Sequence, residues 1–354
     1  MGIWEWDCDS LKRLAAFLTS KGITQGDVTV NAIGDGHSNL TYLVTDQTGQ
    51  AVVLRRPPPP PTPPGAHDML REAAFISALV DTVVPVARCL ATAKAGEVID
   101  VDFYVMSLAH GVVVTDIVPE RLRSPVVCEQ IGFNLIDTLA ALHSVDWQQK
   151  GLGYLGKPKG FNKRHLRSLV KLVADEYGQP PVHFRAVTEW LSDSVPDESG
   201  ASLIHNDYRI GNVVLSESRP GEIEAVLDWE LATLGDPLFD LGYFLCSIPD
   251  AGSQMTATQQ LGAAMLETGF PDRTALSERY VMQTGADLRG LNWYETLAQW
   301  KLAALYEYGR RRADTGIGDD YFKGHVKVLS FLAAAHRAAG ISPLSESVLQ
   351  ELTS

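Results

Sequence analysis

The spacing of apolar residues changes once along this chain, and that change restricts the fold more than composition does. Up to Ser107 the apolar residues come in runs of strand length: Val28 to Ile33, Leu40 to Val44, Ala51 to Arg55, Val86 to Ala93 and Val98 to Ser107. Thr48-Gly49 and Ala95-Gly96 supply turns between them. Two stretches break this texture with helical spacing. One holds Leu11, Leu14, Ala15 and Leu18, with Asp9 or Ser10 as the expected cap; the other runs from His67 to Val80. After Gly111 the pattern lengthens to the helical period, over Val126 to His143, Lys163 to Tyr177, Phe184 to Ser194, Trp293 to Arg312 and Tyr321 to Ala339. Strand-like runs interrupt it only at Ser202 to His205, Val213 to Ser216 and Ile223 to Asp228. The expectation is an α+β chain. Residues 1–26 form a lead-in helix, 27–107 a small lobe of antiparallel sheet with one helix, and 108–354 a larger, mainly helical lobe.

Composition narrows the partners. Against 43 acidic residues stand 30 basic ones, a formal charge of −13, and a phosphate backbone demands the opposite. No nucleic-acid partner is expected. The four cysteines, Cys8, Cys89, Cys128 and Cys246, are scattered and none forms a CxxC pair, which gives no support to a zinc site or a disulfide framework. No segment reaches the ~18 uninterrupted apolar residues of a membrane span. A soluble, cytoplasmic protein is expected, with its oligomeric state left open. Pro57 to Pro64, seven prolines and a threonine, favours an extended conformation, either a plain connection or a docking segment for a proline-binding module.

Chemistry concentrates in Leu203-Ile204-His205-Asn206-Asp207-Tyr208-Arg209-Ile210-Gly211-Asn212 and in Ala225-Val226-Leu227-Asp228-Trp229-Glu230. Asp207 and Asn212 follow one apolar run and Asp228 ends another, a carboxylate, amide and carboxylate set suited to a nucleotide with Mg²⁺. Asp and Asn also cap turns routinely, and alone either would mean no more than that. The recurrence of Asp at the end of the next strand favours chemistry.

The signature His205-x-Asp207-x-x-x-x-Asn212, followed by a strand ending in Asp228, resembles that of the aminoglycoside phosphotransferase and choline kinase group of protein-kinase-like enzymes. The likeness covers nearly the whole chain. Asp228-Trp229-Glu230 and Gly235-Asp236-Pro237 resemble in particular the branch fused to, or encoded beside, acyl-CoA dehydrogenases. The resemblance implies a bilobal fold and a phosphotransferase that moves the ATP γ-phosphoryl group to an alcohol, GTP being the alternative donor. Asp207 would be the base, and Asn212 and Asp228 the Mg²⁺ ligands. The segment Ile33 to Tyr42, which an ordinary hairpin turn would also explain, resembles the phosphate-covering loop, with Gly36, His37 and Ser38 facing the phosphates. Arg55 would stand for the usual lysine, Glu72 would pair with it, and main-chain groups at Ser107 and Leu108 would meet the purine. The acceptor implied is a hydroxyacyl-CoA or hydroxy acid, or an aminoglycoside-like compound.

Two departures stand out. Asn206 occupies a position where relatives commonly carry glycine, which is tolerable if the backbone there is left-handed. Arg55 in place of lysine leaves a second reading open, a nucleotide-binding pseudokinase or interaction module. His205 is expected to support the catalytic loop, Asp236 and Asp240 to start a helix and brace loops, and Glu230 either to reach the metal region or to support it from behind. Two basic clusters, Lys157 to Arg167 and Arg310 to Arg312, read either as solvated faces or as contacts for an anionic acceptor.

Overall fold

The computed structural model describes residues 6–34, 39–59, 67–316, 319–346 and 348–349. They fall into two compact units, one of residues 1–111 and 224–232, the other of 112–223 and 233–354.

The first unit starts with helix α1 (Cys8–Ser20), whose cap is Asp7; its carboxylate accepts the Ser10 amide at 2.7 Å. Asp9 and Ser10, expected as caps, lie inside the helix instead, because the chain already turns one residue before Cys8. Strands β1 (Val28–Ala32), β2 (Leu40–Asp46) and β3 (Ala51–Arg56) follow, then helix α2 (Met69–Leu79), β4 (Cys89–Ala93) and β5 (Phe103–Ser107). All pairings are antiparallel, in the order β1-β2-β3-β5-β4. One face of the sheet, with Tyr42, Val44, Val52, Leu54 and Val105, shares a core with Leu14 and Leu18 of α1. Each fully buried leucine there contributes about 1.5–3 kcal/mol. Strand alternation therefore sends Arg55 to the other face, opposite to Arg56. The long run expected from Val98 is shorter: Gly96 turns at φ 88° and Asp102 accepts the Ala95 amide at 2.8 Å, which delays β5 to Phe103.

From β6 (Gly111–Val113) the chain enters the second unit and continues through helices α3 (Pro125–His143), α4 (Phe161–Val173) and α5 (Val182–Asp193). Helix α4 stops four residues short of the expected Tyr177, since Asp175 takes the amides of Tyr177 and Gln179 into a turn. Strands β7 (Ser202–Ile204) and β8 (Val213–Ser216) flank the loop of interest, and β9 (Ile223–Val226) carries the chain back to the first unit. A strand not expected from the sequence, β10 (Thr233–Gly235), pairs antiparallel with β7. Then come α6 (Pro237–Ser247), the short α7 (Ala257–Gln260), α8 (Arg273–Thr284), the long α9 (Leu291–Asp314) and α10 (Val326–Ala339). Tyr321 lies in a separate 3-10 turn ahead of α10. Gly242 allows α6 to approach α9: a β-carbon there would sit 3.0 Å from the Glu295 nitrogen. Among the described residues no helix is long and apolar enough to cross a membrane.

Candidate active site

Within the first unit the structure joins three of the expected residues by charge. Arg55, 7% exposed, donates from Nη1 to Glu72 Oε1 at 2.8 Å and from Nη2 to Asp228 Oδ1 at 3.0 Å. Glu72 comes from the first turn of α2, behind the Asp68 cap. Asp228 follows β9 in a left-handed conformation, φ 64°, and its side chain keeps 31% exposure where that of Glu72 has none. Burial opposes the Arg55 charge, but Glu72, then Tyr104 and Asp228, hold its pKa well above the usual value. Burial also pushes the Glu72 carboxyl up, against the pull of Arg55. Tyr104 pairs with Arg55 across the strands, and burial, then Glu72, drives its phenol well above the ordinary range.

A second chain of contacts in this unit reaches Glu230. Its Oε2 accepts from Asn39 Nδ2 at 2.8 Å, while Asn39 Oδ1 lies 2.8 Å from His67 Nδ1. Gly36, His37 and Ser38 lie outside the described residues. Ser107 closes β5 with its amide on the Arg88 carbonyl and its hydroxyl receiving the Arg88 amide, both at 2.9 Å; Leu108 follows it directly.

In the second unit, β7 ends at Ile204 and the loop to β8 holds Asp207 and Asn212 together. Asn212 Nδ2 donates at 2.8 Å both to the Asp207 carbonyl and to its Oδ2. The other carboxylate oxygen, Oδ1, accepts a short hydrogen bond from the Tyr243 hydroxyl of α6. Burial, then Asp207, raises the Tyr243 pKa well above its usual value, so this phenol is a donor. Arg209 Nε is 4.0 Å from the same oxygen. Its guanidinium folds back over Gly211, where a β-carbon would lie 2.0 Å from Nη1, so any larger residue there would displace the arginine.

The loop is braced from below. Asp240, fully buried, accepts the amides of His205 at 2.5 Å and Asn206 at 2.7 Å, and His205 Nδ1 takes the Asp207 amide at 3.3 Å. Asp236 caps α6 and receives the Tyr294 hydroxyl at 2.6 Å. Both aspartates do what the sequence suggested. Asn206 is left-handed, φ 68°, a conformation that costs a non-glycine residue on the order of 1–3 kcal/mol. Lys301 of α9 meets it, with Nζ 2.8 Å from Asn206 Oδ1 and in a shorter contact with the Asn206 carbonyl.

Tyr243 and Lys301 were not among the residues picked from sequence, lying 36 and 94 positions beyond Asp207. One signal existed: Lys301 is a lone charge in Leu297-Ala298-Gln299-Trp300-Lys301-Leu302-Ala303-Ala304, all of it buried. Part of each basic cluster is engaged within the protein. Arg310 and Arg311 bond Glu307, and Arg164 bonds the carbonyls of Lys157 and Lys159.

A small antiparallel sheet with a helix-borne glutamate on the strand arginine, continuing into a mainly helical unit with an Asp/Asn loop, is the architecture of protein-kinase-like phosphotransferases. The sequence profile of the phosphotransferase enzyme family (APH) matches residues 29–279, and the chain belongs to that family of enzymes. It is 30% identical over 329 residues to rat acyl-CoA dehydrogenase family member 11, which covers 91% of this chain but 40% of the rat protein. The chain thus spans about two fifths of that relative's length. A Ralstonia eutropha structure, provisionally assigned as an aminoglycoside phosphotransferase, superposes with a TM-score of 0.73 at 28% identity, over 93% of this chain and 95% of the other. An aminoglycoside phosphotransferase complex with AMP-PNP and hygromycin B shares the fold, with a TM-score of 0.58 at 15% identity, over 92% and 97%.

Proposed function

We propose that the chain is a small-molecule kinase that transfers the ATP γ-phosphoryl group to an alcohol, with Asp207 as the base. The observation that carries this reading is the Asp207 carboxylate, fixed on one oxygen by Asn212 and on the other by Tyr243. A carboxylate so aimed can orient an acceptor hydroxyl and take its proton. Arg55 grips phosphate oxygens, and Glu72 fixes its direction. In the purine-facing stretch the Ser107 amide and hydroxyl are engaged by Arg88, so recognition is assigned to the remaining main-chain groups of Ser107 and Leu108.

Asn212 and Asp228 are the proposed Mg²⁺ ligands. Among the described residues no group of three or more His, Cys, Asp or Glu could hold a metal. Mg²⁺ asks for less, often one or two carboxylates together with substrate phosphates, and an oxygen set of Asp and Asn fits that chemistry. When bound, the ion neutralises charge on the phosphates. The acceptor proposed is a hydroxyacyl-CoA or hydroxy acid, supported by similarity to acyl-CoA dehydrogenase family proteins; the cytoplasm is the proposed location.

The test is transfer from ATP in Mg²⁺ to a panel of hydroxy compounds. Wild type phosphorylates at least one, Asp207→Ala none, and Asp228→Ala loses Mg²⁺-dependent nucleotide affinity. Equal transfer by Asp207→Ala defeats the assignment of the base. Nucleotide binding without transfer to any alcohol would make this a binding module.

A further inference from the structure

The residue before the proposed base stands in a conformation that suits glycine, yet it is an asparagine. What offsets the strain is a buried ammonium. Lys301, 3% exposed, rises from α9 and donates to both oxygens of Asn206, the main-chain carbonyl and Oδ1. Its Nζ also lies 4.9 Å from the centroid of the Tyr243 ring and 5.3 Å from that of Phe239, within cation–π range. Tyr243 is the residue whose hydroxyl holds Asp207 Oδ1. One cation thus touches the residue preceding Asp207 and the ring that orients Asp207, from a helix distant in sequence.

The same contacts explain why a lysine tolerates this pocket. A buried ammonium needs acceptors for its protons, and a left-handed Asn turns its carbonyl and its side-chain oxygen to one side, which glycine cannot do with a side chain. Asn206 and Lys301 are therefore read as a pair. Neither group reaches substrate in the proposed mechanism.

We infer that Lys301 is a positioning residue for phosphoryl transfer, clamping the Asn206 turn and the Tyr243 ring so that the Asp207 carboxylate keeps its direction. This rests on the reading of Asp207 as the base. A misdirected base lowers turnover without weakening nucleotide binding.

The experiment is a double-mutant cycle on the whole chain, with Lys301→Met, Asn206→Gly and their combination, assayed for ATP hydrolysis and for transfer to the same alcohol panel in Mg²⁺. Lys301→Met should lower kcat about tenfold to a hundredfold with the KM for ATP nearly unchanged. In the Asn206→Gly background the same change should cost less, because glycine holds the turn without help and only the contacts with the carbonyl and the Tyr243 ring are lost. Equal fold-losses in the two backgrounds overturn the pairing, and an unchanged kcat overturns the role. If Lys301→Met does not fold, Lys301→Gln takes its place; it removes the charge but keeps an N–H donor, and should show coupling of the same sign and smaller size. Amide hydrogen exchange over residues 203–212 needs no turnover: faster exchange in the lysine variants than in wild type is expected, and unchanged exchange overturns the clamp. Failure of the Asp207 reading would appear separately, as equal transfer by wild type and Asp207→Ala.

Discussion

The two units hold their functional carboxylates by different means. In the first, Glu72 and Asp228 are bonded to one guanidinium, so each is kept in place by a full opposite charge. In the second, Asp207 is held by an amide and a phenol, both formally neutral, with Arg209 Nε at 4.0 Å and the Lys301 charge on Asn206 rather than on the carboxylate. Charge-paired groups suit a place that must meet a polyanion, since Arg55 can exchange a carboxylate for a phosphate oxygen without losing a partner of the same sign. Neutral donors suit a base, because they set its direction without a cation bonded to the oxygen that accepts the proton. On the proposed reading, the two kinds of hydrogen bond match the two tasks.

The largest expected effect breaks the neutral side. Asp207→Asn keeps the shape but turns one of the two accepting oxygens into an NH₂ and removes the basic oxygen, and transfer should fall roughly 10²- to 10⁴-fold. Steady-state transfer to the best alcohol of the panel measures it, and a loss under tenfold would mean that the carboxylate only shapes the loop. On the charged side, Glu72→Ala leaves a buried guanidinium short of one partner and should destabilise the first unit by about 3–5 kcal/mol. Urea unfolding gives that figure directly; a change under about 1 kcal/mol, the range of exposed pairs, would show that Asp228 alone satisfies Arg55.

Lys301 sharpens the comparison through pH. Burial lowers its pKa to about 8, while Asp207 and Asp240 pull the other way. The nearby imidazole of His165, pushed to about 3 by burial and then by Lys301, is uncharged at neutral pH. Between pH 8 and the ordinary lysine value of 10.5 the unfolded chain still binds a proton that the folded chain has released. Stability therefore rises with pH across that window, by about 3 kcal/mol at most. The stability difference between wild type and Lys301→Met should grow in favour of wild type over the same range, and a difference that stays flat with pH would exclude the shift. The smallest effect is Tyr243→Phe, which removes one donor to Asp207 and should cost about 1–2 kcal/mol in stability. If it costs as much as Glu72→Ala, the two units do not differ in the way described.

Much of this was readable in advance where the signal is local. β8 was read to the residue because Val213-Val214-Leu215 is a buried apolar run with a turn at each end. The left-handed backbone at Asn206 meets the condition under which asparagine is tolerable in place of glycine. Arg55 could be chosen over Arg56 because alternation on a strand permits one face only. Misses arose where a particular hydrogen bond decides, near or far in sequence. β10 has three residues and exists because β7 offers an edge. The ends of α4 and β5 depend on Asp175 and Asp102, whose turns override propensity. Tyr243 and Lys301 belong to apolar helices whose pattern says that they are buried but not what they bond.

The return of residues 224–232 to the first unit bears on any attempt to divide this protein. A fragment ending at Gly111 would contain the whole five-stranded sheet and Arg55, yet would lack Asp228 for that arginine and Glu230 for Asn39. It would also lose the bridge between Val86 and Val226. The first unit is not a cassette that recombination could pass on by a single cut. Its inheritance is tied to a nine-residue insert carried more than a hundred positions downstream, so Arg55, Glu72 and Asp228 travel together only when the intervening chain travels with them.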